Sequence, residues 1–206
     1  MSVDVIDAQI LVRPYLRAGF HIAGPEDEVA VSEVEWRSLC DFDEGVRSGM
    51  VAARVAARAL FARVGLNGVE LPRIANRAPK WPSGWTGALS HCGRTGAAAI
   101  SPARSSQGIG IDIEAFTDID DATLAVFANA AEREMCGDDR MRRLAIFCGK
   151  EAAYKAFRCL NDRWLDPHDI EISQDFANAH IAGCRPIQIV RLDALPGHLA
   201  MVALWP

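Results

Sequence analysis

Gly108-Ile109-Gly110-Ile111-Asp112-Ile113-Glu114 alternates between isoleucines and small or acidic residues, the period of a β-strand. Successive strand side chains face opposite sides, so Ile109, Ile111 and Ile113 read as a core face. Gly108, Gly110, Asp112 and Glu114 share the other face. Two carboxylates beside glycines that leave room can seat a hard cation and the phosphates bound to it. A half-buried strand with a solvated acidic face accounts for the same alternation.

Working outward, the element order is that of an α+β protein with mostly antiparallel strands. A strand is expected near 5–12 and an acidic loop at 25–28. A long helix begins after Asp43 as N-cap and ends at Gly65, a C′ glycine. The Pro-rich segment 77–84 reads as a structured loop. Short strands at 87–90 and 97–101 flank a turn, and 102–107 resembles a linker. Helices are expected near 121–135 and 139–160, then strands at 170–173, 187–192 and 199–204. The predicted organisation is an N-terminal lobe, 1–105, and a C-terminal lobe, 106–206, with no sequence-level repeat.

The chain has 206 residues, half of them hydrophobic, enough to bury a core in one large domain or two small lobes. A net charge of −5 argues against a nucleic-acid partner. The six cysteines form no CxxC pair, so neither a zinc site nor a dithiol motif is suggested. Arg54, Arg58 and Arg63 interrupt the Ala-rich run 51–64, and no apolar stretch reaches the ~18 residues of a membrane span. The opening Met1-Ser-Val-Asp4 is unlike a secretory leader. A soluble, cytoplasmic protein with reduced thiols is expected.

A second segment, Phe147-Cys-Gly-Lys-Glu-Ala-Ala-Tyr-Lys155, lies in helical sequence. Ile146, Ala153, Phe157 and Leu160 fall at helical spacing as a core stripe. Glu151 and Lys155 share another face. By itself such an i,i+4 pair is ordinary, worth roughly 0.2–0.5 kcal/mol. Lys150 lies between the two faces, so solvent exposure is expected as readily as a site role.

Taken together, Ile-Gly-Ile-Asp-Ile-Glu114 followed by Phe-x-x-Lys-Glu-Ala-x-x-Lys155 resembles the two signature motifs of the 4′-phosphopantetheinyl transferase superfamily. Arg77-Ala-Pro-Lys-Trp-Pro-Ser-Gly-Trp-Thr-Gly-Ala-Leu-Ser-His91 looks like the Pro-x-Trp-Pro and Gly-x-x-Ser-His stretch of its Sfp-type members. Arg54-Val-Ala-Ala-Arg58-Ala-Leu60 is similar to a helix of the siderophore-synthetase (enterobactin synthetase component D-like) branch. The resemblance covers about residues 43–160. Departures are Phe147 for a common Trp, Cys148 for Ser or Thr, Ala53 for Gly and Ala88 for Ser; none removes a charged group.

The resemblance implies two similar α/β lobes related by a pseudo-twofold, in a monomer with its site between them. It implies transfer of phosphopantetheine from coenzyme A to a serine of an apo acyl or peptidyl carrier protein, with magnesium. Asp112, Glu114 and Glu151 match the metal-binding acids, Glu151 the base, and Lys155 the cation that supports the departing adenosine 3′,5′-bisphosphate. The 3′-phosphate of coenzyme A calls for a second basic site. Arg47, Arg54 and Arg58 fall within about 40° of one another on the 43–65 helix, counting 100° per residue. Arg77, Lys80, Ser90 and His91 complete the candidates, with Arg54 and His91 favoured. Trp81 and Trp85 are expected to anchor their loop, and Phe147 and Tyr154 to line core or pocket. The other histidines, at 21, 168, 180 and 198, show no ligand spacing. A magnesium-dependent nuclease and a non-catalytic binding module are the competing readings.

Overall fold

The computed structural model describes residues 6–9, 15–24, 27–74, 78–193 and 195–205. The chain divides into two compact units at Ser105 and Ser106.

In the first unit, strands β1 (Ile6–Gln9) and β2 (Arg17–Ile22) precede helices α1 (Glu33–Arg37) and α2 (Glu44–Arg63). Strands β3 (Trp85–Cys92) and β4 (Thr95–Pro102) close it. The sheet order is β1-β2-β4-β3, antiparallel throughout. Helix α2 ends as expected, with Gly65 at φ +82° just beyond it. Asp43 holds the N-cap position, but its side chain makes no capping bond. Ala-rich α2 lies close on the sheet: a Cβ on Gly96 would overlap the backbone of Ala52 and Ala53. Ala56, Ala57, Leu60 and Phe61 meet Leu71, Ala98 and Ile100 in the core. Trp81 and Trp85 pack on Phe61, with centroids 6.3 and 5.3 Å away, so they do anchor their loop. Of the acidic segment at 25–28, residues 25 and 26 lie outside the described residues, and Asp27 opens a 3₁₀ turn, Asp27–Ala30, where it is buried and bonds His21 at 2.7 Å.

In the second unit, β5 (Gly108–Ala115) is followed by α3 (Asp121–Phe127), α4 (Ala130–Cys136) and α5 (Arg140–Arg158). Strands β6 (Ile170–Ile172), β7 (Asn178–Ile181), β8 (Ile187–Leu192) and β9 (His198–Trp205) complete it. The sheet order is β5-β9-β8-β7-β6, antiparallel throughout, so the fold is α+β. The single helix expected near 121–135 is two helices, because Asn129 opens α4 with a capping box to Glu132. Strands β2 and β7 and helix α1 were not foreseen.

Each unit contains a buried glutamate at the third position of a short capped helix. Glu35 of α1 caps Ser32, accepts the Leu71 N–H at 2.8 Å and holds Arg58 of α2 at 2.9 Å. Glu132 of α4 caps Asn129, accepts the Ile172 N–H at 2.8 Å and holds Lys150 of α5 at 2.7 Å. In both cases a carboxylate in the core is paired and fully hydrogen-bonded, the condition under which a buried charge is tolerated.

All six cysteines are free thiols. Among the described residues no helix is long and apolar enough to cross a membrane.

Candidate active site

Strand β5 is buried on both faces. Ile109, Ile111 and Ile113 are fully buried, as their alternation requires. The opposite face is not solvated, and the room beside its glycines does not lie open for a ligand. A Cβ on Gly110 would overlap the Ala152 carbonyl, and one on Gly108 the Ala156 carbonyl. The glycines admit the backbone of α5 onto the strand, where bare peptide can pack against peptide.

That close approach brings the two motifs together. Lys155 donates from Nζ to Asp112 Oδ1 at 2.7 Å and to the Ile111 carbonyl at 3.1 Å. Asp112 is 3% exposed, while the Lys155 side chain keeps 29% of its surface. Half-buried Glu151, one turn before Lys155, has its carboxyl pushed above the usual range, first by burial and then by the Asp112 charge; Lys155 opposes both. Glu114 lies two residues beyond Asp112 on the same strand face, half-buried and opposite Leu199 of β9. Among the described residues no group of three or more His, Cys, Asp or Glu is arranged as a metal site.

Lys150 corrects the expectation of solvent exposure. It is 3% exposed, and its three donors go to Glu132 Oε2 and the Phe127 carbonyl, each at 2.7 Å, and to the Pro167 carbonyl at 3.0 Å. Burial pushes its ammonium below the usual lysine range and Glu132 pulls it back. The core stripe of α5 is Ile146, Ala153 and Phe157; Leu160 lies beyond the helix end and is 56% exposed. Phe147 packs on Phe127 at 5.2 Å, and Tyr154 packs against the core.

The arginines of α2 do not form an open basic stripe. Arg54 is 2% exposed and donates to the Leu71 carbonyl at 3.0 Å and the Met50 carbonyl at 2.9 Å. Burial lowers its pKa to about 10, opposed by the Glu35 charge. Arg58 is held by Glu35. Arg47 donates to the Phe42 carbonyl at 2.9 Å and lies over the Trp36 ring at 5.1 Å. Ser90 and His91 sit on β3, and His91 packs against α2 where Gly49 has no side chain. Lys80 is exposed, beside the bridge between Arg73 and Pro79. Arg77 lies outside the described residues.

Two residues at these sites escaped the sequence reading. Glu132 was findable, since Asn129-x-x-Glu132 is a capping-box pattern. Cys148, a departure from the family pattern, lies three, four and seven residues before Glu151, Ala152 and Lys155, and that spacing puts it on the helical face they share.

Comparison with known proteins bears on both units. Residues 44–101 match the model of the 4′-phosphopantetheinyl transferase N-terminal domain, and residues 108–192 that of the 4′-phosphopantetheinyl transferase superfamily. The chain is 34% identical to the 4′-phosphopantetheinyl transferase Npt of Nocardia iowensis over 72% of its own length and 68% of that protein's. It is 30% identical to the transferase Svp of Streptomyces mobaraensis, over 73% of this chain and 61% of that one. It is 33% identical to enterobactin synthase component D of Salmonella typhi, over 74% of this chain and 61% of that one. With an Asp112–Lys155 pair joining the two motifs, and a family model on each unit, the chain belongs to the 4′-phosphopantetheinyl transferase superfamily.

Proposed function

We propose that this chain transfers the 4′-phosphopantetheine arm of coenzyme A to a serine hydroxyl of an apo acyl or peptidyl carrier protein, releasing adenosine 3′,5′-bisphosphate. The observation that carries the reading is the apposition of Asp112, Glu151 and Lys155 on the α5–β5 contact. It unites two acids and a cation from the two family motifs.

The three needs of the reaction can be met by this chain's own groups. Glu151 accepts the serine proton as its oxygen attacks, and a pKa raised by burial makes it a stronger base than an ordinary carboxylate. Lys155 supports the charge that gathers on the leaving bisphosphate, anchored meanwhile by Asp112 and the Ile111 carbonyl. Asp112, Glu114 and Glu151 would hold magnesium. Carboxylate oxygens are the donors such a hard cation takes, and the repulsion between Asp112 and Glu151 is what a divalent charge relieves. Bound there, magnesium would neutralise the pyrophosphate.

The 3′-phosphate reading rests on Arg47, Lys80, Ser90 and His91, with Arg77. Arg54 and Arg58 are held instead by the Leu71 carbonyl and by Glu35. Both units repeat one build, a long helix on an antiparallel sheet with a buried glutamate clamp, which supports the reading of two similar lobes, 1–105 and 106–206. A cytoplasmic monomer that binds no nucleic acid completes the proposal.

The test is the intact mass of an apo carrier protein incubated with this chain, coenzyme A and magnesium. One phosphopantetheine arm should be gained, and none when the acceptor serine is alanine. No gain on any of several apo carriers would sink the reading.

A further inference from the structure

Strand β8 outruns one of its two neighbours. On the β9 side it is paired from Gln188 to Leu192. On the other side β7 pairs with it only at Ile187 and Gln188, and the last bond runs from the Ile189 N–H to the Ala177 carbonyl at 2.8 Å. There the β6–β7 hairpin turns away. Phe176 donates its N–H to the Ser173 carbonyl at 2.9 Å and takes a φ of +57°, the left-handed region that a bulky side chain seldom enters. The Ala177 N–H goes to Asp175 Oδ1 at 3.0 Å and not back to β8. Alternate residues of an antiparallel strand turn their peptide groups to the same side. Arg191, like Ile189, therefore presents its N–H and carbonyl to the side that the hairpin has left. Among the described residues neither of these groups has a hydrogen-bond partner, and nor has the Ile189 carbonyl.

This open edge borders a groove of about 650 Å³, lined by Met141 and Ala145 of α5, Met201 of β9 and Phe176, with Arg142 and Arg191. Both arginines keep terminal N–H donors. Arg191 bonds Asp193 through Nε alone, at 2.7 Å, and Arg142 bonds the Met135 carbonyl through Nη1 at 3.1 Å, with Asp139 3.7 Å from its Nε. The two acids at the groove turn an oxygen to backbone instead: Asp139 caps the Met141 and Arg142 N–H groups, and Asp175 holds Ala177. We propose that the groove takes an extended peptide of a partner protein as a strand added to β8, with a glutamate opposite Arg191. The Arg191 N–H and carbonyl bond the added backbone, the mode in which an exposed sheet edge recognises a peptide. Residues paired across strands share a face, so the glutamate points to the α5 side with Arg191. Its methylenes cover the adaptable methionine surface and its carboxylate meets the guanidinium groups. Met141 precedes Lys155 by about 21 Å of helix, which sets this surface apart from the transferase chemistry.

The probe is a synthetic peptide, capped at both ends, with glutamate at its centre and valine on either side. It is titrated into the whole chain and followed by amide NMR. Binding should shift the Arg191 amide and slow its exchange with solvent. Lysine in place of the glutamate should weaken binding about fivefold or more, the scale of a cross-strand charge pair. Arg142→Ala combined with Arg191→Ala should narrow that preference. The decisive control alters the peptide and leaves the protein as it is, so no variant has to fold. A peptide N-methylated at the glutamate has no N–H to give the Arg191 carbonyl and should not bind. If it binds as well as its parent, the groove attracts charge and adds no strand, and the proposal falls. It falls equally if the parent peptide leaves the Arg191 amide unmoved. Self-association of the chain at Arg191 that the peptide does not reverse would give the edge to a second copy and overturn the proposal too. Carrier loading plays no part in any of these readings, so failure of the transferase reading registers separately.

Discussion

Lys155 Nζ sits 2.7 Å from Asp112 Oδ1 across 43 positions of sequence, and that contact joins the strand motif to the helix motif. Its precondition is a pair of glycines. Without side chains at 108 and 110, α5 approaches β5 closely enough for a lysine near its C-terminal end to reach down onto the strand.

Gly110→Ala should therefore damage both fold and site. The new methyl would meet the Ala152 carbonyl, which belongs to helix backbone and cannot rotate away. Overpacking of this kind costs about 1–3 kcal/mol and can exceed that when backbone must move. Urea denaturation should show the loss. Transfer activity measured well below the midpoint should fall too, because α5 carries Glu151 and Lys155 with it.

The two motif lysines should separate cleanly. Lys150→Met leaves Glu132 charged and buried without its ion pair, and breaking a buried pair costs about 3–5 kcal/mol. Lys155→Met also strips buried Asp112 of its cation, but Lys155 keeps 29% of its surface, so the stability loss should be the smaller of the two while transfer collapses. Thermal melts beside carrier-loading rates decide this. Equal losses of stability in the two variants would contradict the assignment.

The sequence reading reached as far as local periodicity does. Alternation placed Asp112 and Glu114 on one strand face, and helical spacing placed Glu151 and Lys155 on one helix face. Neither says what covers a face. The glycines of β5 looked like room for a ligand, and the room holds α5. Lys150 had an ambiguous angle on the helix because its partner, Glu132, comes from another helix. The arginines of α2 shared a stripe by angle, yet Glu35 and the Leu71 carbonyl, both remote in sequence, draw Arg58 and Arg54 inward. Strand β2, Arg17-Ala-Gly-Phe-His-Ile22, alternates in sequence but not in burial, because His21 on its polar face is itself buried against Asp27.

Arg54→Ala should now be chiefly a stability variant. It strips a donor from the buried Leu71 carbonyl, a loss of about 1–3 kcal/mol. Discrimination between coenzyme A and 3′-dephospho-coenzyme A should instead respond to His91→Ala and Lys80→Ala. A lost charge-assisted contact there should narrow the preference by about tenfold or more. Calorimetry with both ligands on all three variants measures it. An Arg54→Ala protein of wild-type stability that loses the preference would return the phosphate to Arg54.

The last expectation concerns pH and turns on Glu151. Burial, then the Asp112 charge, raise its folded pKa above the ordinary 4.5. Folding therefore holds a proton there more tightly than the unfolded chain does. The contribution of Glu151 to stability is present at low pH and is lost as pH rises through the raised value. The base works only when ionised, so kcat/KM should rise with pH as this carboxyl ionises, and magnesium, by opposing the Asp112 charge, should place that acid limb below the metal-free titration of Glu151. Glu151→Gln should cost about two orders of magnitude or more in transfer, as for a lost general base, while coenzyme A still binds. It should also remove this stability loss with rising pH. Carboxyl NMR titration gives the folded pKa directly, and Asp112→Asn should bring it down part of the way, because burial, the larger cause, remains. A Glu151 carboxyl titrating at or below 4.5 in the folded protein, or a Glu151→Gln enzyme that loads carrier at the wild-type rate, would take the base from this residue.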